Sequence, residues 1–86
     1  MQIFPNPCRG IMYFEIECPS SSVQNNEIVI YDVSGRAVIR YRDVHYNEPI
    51  AWNGNDEFGR NLPGGVYFVR FRSRDAEQTR KVVFLK

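Results

Sequence analysis

No stretch of this sequence stays apolar for the roughly 20 residues that a membrane-spanning helix needs, so nothing in it would cross a bilayer as a helix. Charge of one sign is also missing. The 11 Lys and Arg residues nearly balance the 10 Asp and Glu, for a formal net charge of +1. That excludes the strong basic excess by which nucleic-acid binders hold phosphate. Histidine is reduced to His45, with no adjacent serine, cysteine or carboxylate pair, which excludes a triad or a zinc cluster. Cysteine is scarce too. Cys8 and Cys18 flank a run that reads as extended, and ten residues of strand separate their Cα atoms by roughly 30 Å. A disulfide needs about 7 Å, so the pair is expected to remain two small thiols, buried or half-buried. No run shows helical periodicity, and no repeat, low-complexity segment or linker divides the chain. Nothing at Met1-Gln2-Ile3 resembles a secretory leader, so the address of an exported protein would lie upstream.

Period-two alternation is what the chain has in quantity. Met12, Phe14, Ile16 and Cys18 share one side of a run whose other side carries Glu15 and Glu17. Ile28 and Ile30 alternate with Val29. Arg36 to Arg42 alternates again, with either Val38, or Ile39 and Tyr41, inward. Ile50 and Trp52 make a short strand. Tyr67, Val69 and Phe71 oppose Arg70, Arg72 and Arg74, and a last strand covers about Gln78 to Leu85. With Phe4 as a short opening strand, about seven strands recur at the 8–12 residue spacing of an antiparallel β-sandwich. The spacing predicts one all-β, immunoglobulin-like domain over residues 1–86. Its expected core is Met12, Phe14, Ile16, Ile28, Ile30, Trp52, Tyr67, Val69 and Phe71. Aromatics, 14% of the chain, bring the most buried area per residue. That matters in a domain near the lower size limit for unaided folding.

The turns carry the motifs. Pro5 and Pro7 fix φ and supply no amide donor, so Pro5-Asn6-Pro7 is expected to end pairing and stiffen the entry to the sandwich. Asp32 before Ser34-Gly35 should accept backbone amides in a turn, with Gly35 chosen for its backbone angles. Asn53 to Gly59 gathers oxygen side chains beside glycines, as calcium loops do. It lacks the twelve-residue spacing and closing Glu, and a purely structural loop fits it better. Arg70, Arg72 and Arg74 would form a basic stripe with Arg40 and Arg42 if their strands are neighbours. The ordinary role is a solvated face paired with Glu15, Glu17 or Glu77. The sharper one is docking to an acidic partner or an anionic glycolipid, where Arg suits bidentate contact. An exposed closing strand could also be extended by a partner's strand, with Arg80, Lys81 and Lys86 marking it. Exposed edges leave a weak dimer open.

Taken in order, five segments resemble a known family. They are Phe4-Pro5-Asn6-Pro7, Ile30-Tyr31-Asp32-Val33-Ser34-Gly35-Arg36, Trp52-Asn53-Gly54-Asn55-Asp56-Glu57-Phe58-Gly59-Arg60, Leu62-Pro63-Gly64-Gly65-Val66-Tyr67 and Arg80 to Lys86. The family is the C-terminal sorting domain of the type IX (Por) secretion system, and the immunoglobulin-like domain of the flagellar hook-capping protein is a second, looser analogy. The resemblance implies a seven-stranded, non-catalytic sandwich without cofactor at the end of an upstream cargo. It implies passage through the periplasm and recognition by the outer-membrane export machinery. A sortase then removes the domain, and the cargo is anchored at the surface or released. Arg70, Arg72, Arg80, Lys81 and Lys86, from the basic stripe and the closing strand, are the recognition residues expected. The alternative is an adhesion or carbohydrate-binding sandwich, for which Phe68 and Tyr13, facing away from the core, are the first aromatics to consider.

Overall fold

A computed structural model describes residues 1–16, 26–42, 44, 48–73 and 77–85. Cys18, Glu17, His45, Arg74 and Lys86 lie outside the described residues, as do the turn segments at 19–22 and 74–76. Eight strands follow in chain order: β1 (Gln2–Phe4), β2 (Cys8–Arg9), β3 (Met12–Glu15), β4 (Glu27–Tyr31), β5 (Ala37–Arg42), β6 (Ile50–Trp52), β7 (Gly65–Arg72) and β8 (Glu77–Leu85). They build a three-stranded sheet, β1-β3-β6, and a five-stranded sheet, β2-β8-β7-β4-β5. The all-β sandwich is as expected. The additional strand is β2, two residues long, and it pairs parallel to β8 while every other ladder is antiparallel.

Alternation places the core between the sheets. All the expected core residues are buried, and Trp52 sits at their centre. Its ring lies 6.3 Å from Phe14, 5.5 Å from Tyr67 in an edge-on arrangement, and 5.4 Å from Phe84. Its Nε1 donates to the Asn55 carbonyl at 2.8 Å, which removes the cost of burying the indole N–H. Cys8, Val29, Val38, Val44, Leu62, Val82 and Phe84 are also buried. The choice between Val38 and the pair Ile39 and Tyr41 resolves as both. A register shift opposite Ile30/Tyr31 leaves Val38 unpaired and buried, while Ile39 and Tyr41 pair with Ile30 and Ile28 on the inner face.

The small sheet leaves part of the large one uncovered. Gln78 and Arg80 lie on the inner side of β8, opposite Phe71 and Val69, yet both are exposed. The Met1 amino group donates to Gln78 Oε1 at 3.0 Å there. At the start of β7, the Tyr67 hydroxyl donates to the Pro63 carbonyl at 2.5 Å, the tyrosine corner of Greek-key sandwiches.

Candidate recognition surface

Pro5-Asn6-Pro7 carries the chain from the small sheet to the large one. β1 ends at Phe4 and β2 begins at Cys8, and both prolines follow cis peptide bonds. The Asn6 carboxamide stands where a strand's peptide group would. Its Nδ2 donates to the Lys81 carbonyl at 3.2 Å and its Oδ1 accepts from the Val83 amide at 3.0 Å. Cys8 and Arg9 then continue beside Phe84 and Leu85. The closing strand is therefore not the exposed edge expected of it. Asn6 and β2 line it from Lys81 to Leu85, and among the described residues its first half, Glu77 to Arg80, has no strand on that side. Asn6→Ala removes both bonds and should cost about 1–2 kcal/mol. The Val83 amide should then exchange its hydrogen faster while amides of β4 keep their protection.

Two loops share one construction. Asp32-Val33-Ser34-Gly35-Arg36 and Asp56-Glu57-Phe58-Gly59-Arg60 both read Asp-x-x-Gly-Arg. In each, the Asp amide donates to the Arg carbonyl and the Gly amide to the Asp carbonyl, at 2.9–3.0 Å. One carboxylate oxygen accepts the amides two and four residues on: Ser34 and Arg36 at 2.9 and 3.1 Å, Phe58 and Arg60 both at 2.9 Å. The other oxygen meets the Arg Nε, at 3.3 Å in the first loop and 2.8 Å in the second. Gly35 and Gly59 hold φ of 87° and 80°. The expected turn role of Asp32 is thus present, and the chain carries a short repeat where none was expected. The repeated Asp-x-x-Gly-Arg spelling was the available signal. The donors around Asp56 occupy the carboxylate that calcium would need, and no group of three or more His, Cys, Asp or Glu side chains suited to a metal occurs among the described residues.

Both carboxyls are held below the ordinary aspartate range. For Asp32 the Ser34 hydroxyl contributes most, joined by the Arg36 and Ser34 amides and the Arg36 charge, against some desolvation. For Asp56 desolvation pushes upward, and the Arg60 and Phe58 amides and the Arg60 guanidinium together outweigh it. A folded-state pKa below the unfolded value of about 3.9 stabilises the fold above that pH. The contribution disappears as pH falls through the lower, folded values. The melting midpoint of the wild type should therefore exceed that of Asp32→Asn/Asp56→Asn near neutral pH, and the gap should close on acidification below about pH 4.

The outer face of the large sheet carries the arginines. β4 separates β5 from β7, so the arginine strands are not neighbours, yet the register aligns their side chains in cross-strand rows. One row reads Arg42, Glu27, Arg72, Glu77 and the next Arg40, Val29, Arg70, Thr79. A third brings together Tyr31, Phe68 and Lys81. Val29 has no exposed surface although it lies on the outer side of the sheet. Arg40 and Arg70 flank it, and the stems of long cationic side chains cover apolar surface of this kind. Arg70 lies with its guanidinium carbon 5.0 Å from the centre of the Tyr31 ring.

The acids are mixed in loosely. Arg40 is 3.7 Å from Glu27, while Arg70 and Arg72 are 4.0 and 3.6 Å from Glu77. Of the acids expected to pair, Glu77 does so; Glu15 lies in the other sheet. Glu27 was missed because its neighbour strands could not be known. Nor do the expected recognition residues share one face. Arg70, Arg72 and Lys81 point outward, whereas Arg80 opposes Val69 on the inner side. On the far side of the molecule, exposed Tyr13 stacks on Phe4 at 5.9 Å, with Ala51 beside it.

The model of the secretion system C-terminal sorting domain matches residues 2–85. The chain belongs to this family. The sorting domain is a C-terminal export signal for type IX secretion, and membership implies export to the cell surface or the extracellular space. The family consists of sorting signals rather than enzymes. No helix among the described residues is long and apolar enough to cross a membrane. None of the curated proteins matches the chain. Among solved structures, the sorting domain is similar to part of PorZ, an essential bacterial surface component of the type IX secretion system of Porphyromonas gingivalis. The TM-score is 0.73 at 18% identity, over 99% of this chain and 11% of that one. At that identity the likeness shows a shared fold. The sorting domain spans about a ninth of the length of that relative.

Proposed function

We propose that the sorting domain works by being read, without catalysis, as the address of an upstream cargo. Outer-membrane type IX machinery engages its folded surface, and a sortase then separates it from the cargo. The observation that carries this is how the polar chemistry is used. Asp32 and Asp56, its best-placed carboxylates, are engaged by their own loops. Loosely paired arginines face outward in cross-strand rows, suited to contact with another molecule. The PorZ likeness supports the reading, because a surface component of the same system shares this fold. Fusing residues 1–86 to a periplasmic reporter in a type IX-competent cell should send the reporter to the surface or the medium. Reporter retained in the periplasm, with the fused domain folded, overturns the proposal.

A second function has one specific observation behind it. The exposed Phe4–Tyr13 stack, beside the small Ala51, offers a flat aromatic platform of the kind a sugar ring covers. Glycan binding by the isolated domain that is lost in Tyr13→Ala would favour an adhesion module instead. Weak dimerisation, if the domain undergoes it, would use the open first half of β8, because the Glu57 amide already caps the Val38 carbonyl on the opposite edge strand at 3.1 Å.

A further inference from the structure

We propose that the outer face of the five-stranded sheet, centred on Arg70, is a docking surface for an acidic polypeptide segment whose carboxylates lie over Arg70 and Arg40. This deepens the export-signal reading and rests on it for the partner's place in secretion. Among the described residues, Arg70 Nε is the one buried side-chain nitrogen or oxygen without a hydrogen-bond partner. Such an atom is costly unless something completes it. Its acid neighbour does not, since Glu77 stands 4.0 Å from Nη1, beyond hydrogen-bond reach. The Arg40–Glu27 and Arg72–Glu77 pairs are also longer than hydrogen bonds, and Arg42 has no ion pair among the described residues. Beside Arg70 is a cleft of about 350 Å³, lined by Tyr31, Asp32, Phe68, Glu77 and Thr79. The Tyr31 ring lies against the guanidinium, about a quarter of the Arg70 side chain remains exposed (26%), and a carboxylate seated in the cleft would draw its donors into a planar fork.

Spacing identifies the form of the segment. Strands lie about 4.8 Å apart, so Arg40 and Arg70, on either side of Val29, are separated by roughly 10 Å across the sheet. A polyproline II chain brings every third residue back to one side after about 9 Å. Acids at i and i+3 of such a segment, running across the strands, match the two arginines. The interleaved acids argue for a polypeptide over a polyanion or an anionic lipid layer. Glu27, Glu77 and Asp32 would repel a continuous negative charge, whereas a peptide can place acids only where the arginines stand.

The test is anisotropy titration of the domain into a fluorescent peptide of repeating Glu-Pro-Pro. Saturable binding that weakens with added salt is expected. Arg70→Lys, which keeps the charge and the stem over Val29 but loses the planar fork, should weaken it about tenfold. Arg80→Gln, on the opposite side of β8, should leave it unchanged. A Glu-Pro repeat, with the wrong spacing, should bind less well. Equal losses in Arg70→Lys and Arg80→Gln, or none in Arg70→Lys, overturn the site. Binding to phosphatidylglycerol vesicles without binding to the peptide overturns it in favour of lipid. In the reporter fusion, Arg70→Lys should reduce secretion in step with the lost affinity. Intact secretion despite lost peptide binding overturns the surface as an export contact and leaves the sorting function standing. A wild-type fusion that fails to leave the periplasm counts against the sorting reading alone.

Discussion

Trp52→Ala should leave the domain without a cooperative unfolding transition under conditions where the wild type melts sharply. The indole is 1% exposed and contacts three other aromatic rings drawn from both sheets. Phe14 belongs to the small sheet, Tyr67 and Phe84 to the large one. Truncation therefore removes the central aromatic contact between the layers. It also leaves the Asn55 carbonyl without the donor it meets at 2.8 Å. Losses of about 3–5 kcal/mol are usual for buried Trp→Ala. Total stability of roughly 0.05–0.15 kcal/mol per residue puts this domain at about 4–13 kcal/mol, so the loss approaches the whole at the lower end. Near-UV circular dichroism and a thermal melt read the result. Trp52→Phe should keep a cooperative transition at a lower midpoint, because it retains most of the ring contacts. A near-native melt in the alanine variant would show that Trp52 does not hold the sheets together.

Trp52 was visible in the sequence for the same reason the strands were. Each expected core residue occupies alternate positions of a run, and burial of one sheet face is what imposes that period. What could not be seen is pairing between distant segments. Asn6 reaches Lys81 and Val83 across 75 and 77 residues of chain, and no local pattern announces a side chain that imitates a strand. β2 is two residues long and owes its existence to the strand beside it. Val29 alternates outward and should have been half-exposed. Two separate registers set Arg40 and Arg70 on either side of it, a neighbourhood that its own strand does not announce. The same ignorance of register hid the division of the basic residues. Arg70 pairs with Thr79, which sends Arg80 to the other side of the sheet. The proposed recognition surface was legible as chemistry, a cluster of arginines, but not as a place.

Gly54→Ala should destabilise the domain by about 2–5 kcal/mol, the sum of a backbone cost and an overpacking cost. Gly54 is buried with φ of 81°, in the region that L side chains rarely adopt. An added methyl would also fall within the Phe84 ring. Phe84 cannot easily retreat, since its ring packs on Trp52 at 5.4 Å and its strand is bordered by Cys8. Gly59→Ala separates the two costs. Its φ is 80°, almost the same, but nothing lies within 4 Å of the added atom. It should lose only the backbone share, about 1 kcal/mol. Urea unfolding of both variants measures the difference, and equal losses would mean that the Gly54 loop does not press on the closing strand. Combining Gly54→Ala with Phe84→Leu should restore part of the packing loss, because the shorter side chain vacates the contested volume. The loop from Asn53 to Leu62, tied by the Leu62 amide to the Gly54 carbonyl at 2.8 Å, thereby clamps the strand that ends the sorting domain. Gly54→Ala should therefore reduce reporter secretion while every residue of the outward basic rows is unchanged, and Gly59→Ala should reduce it far less. That contrast distinguishes a folded address from a linear one: machinery that reads only the closing residues as an extended peptide would export both variants equally.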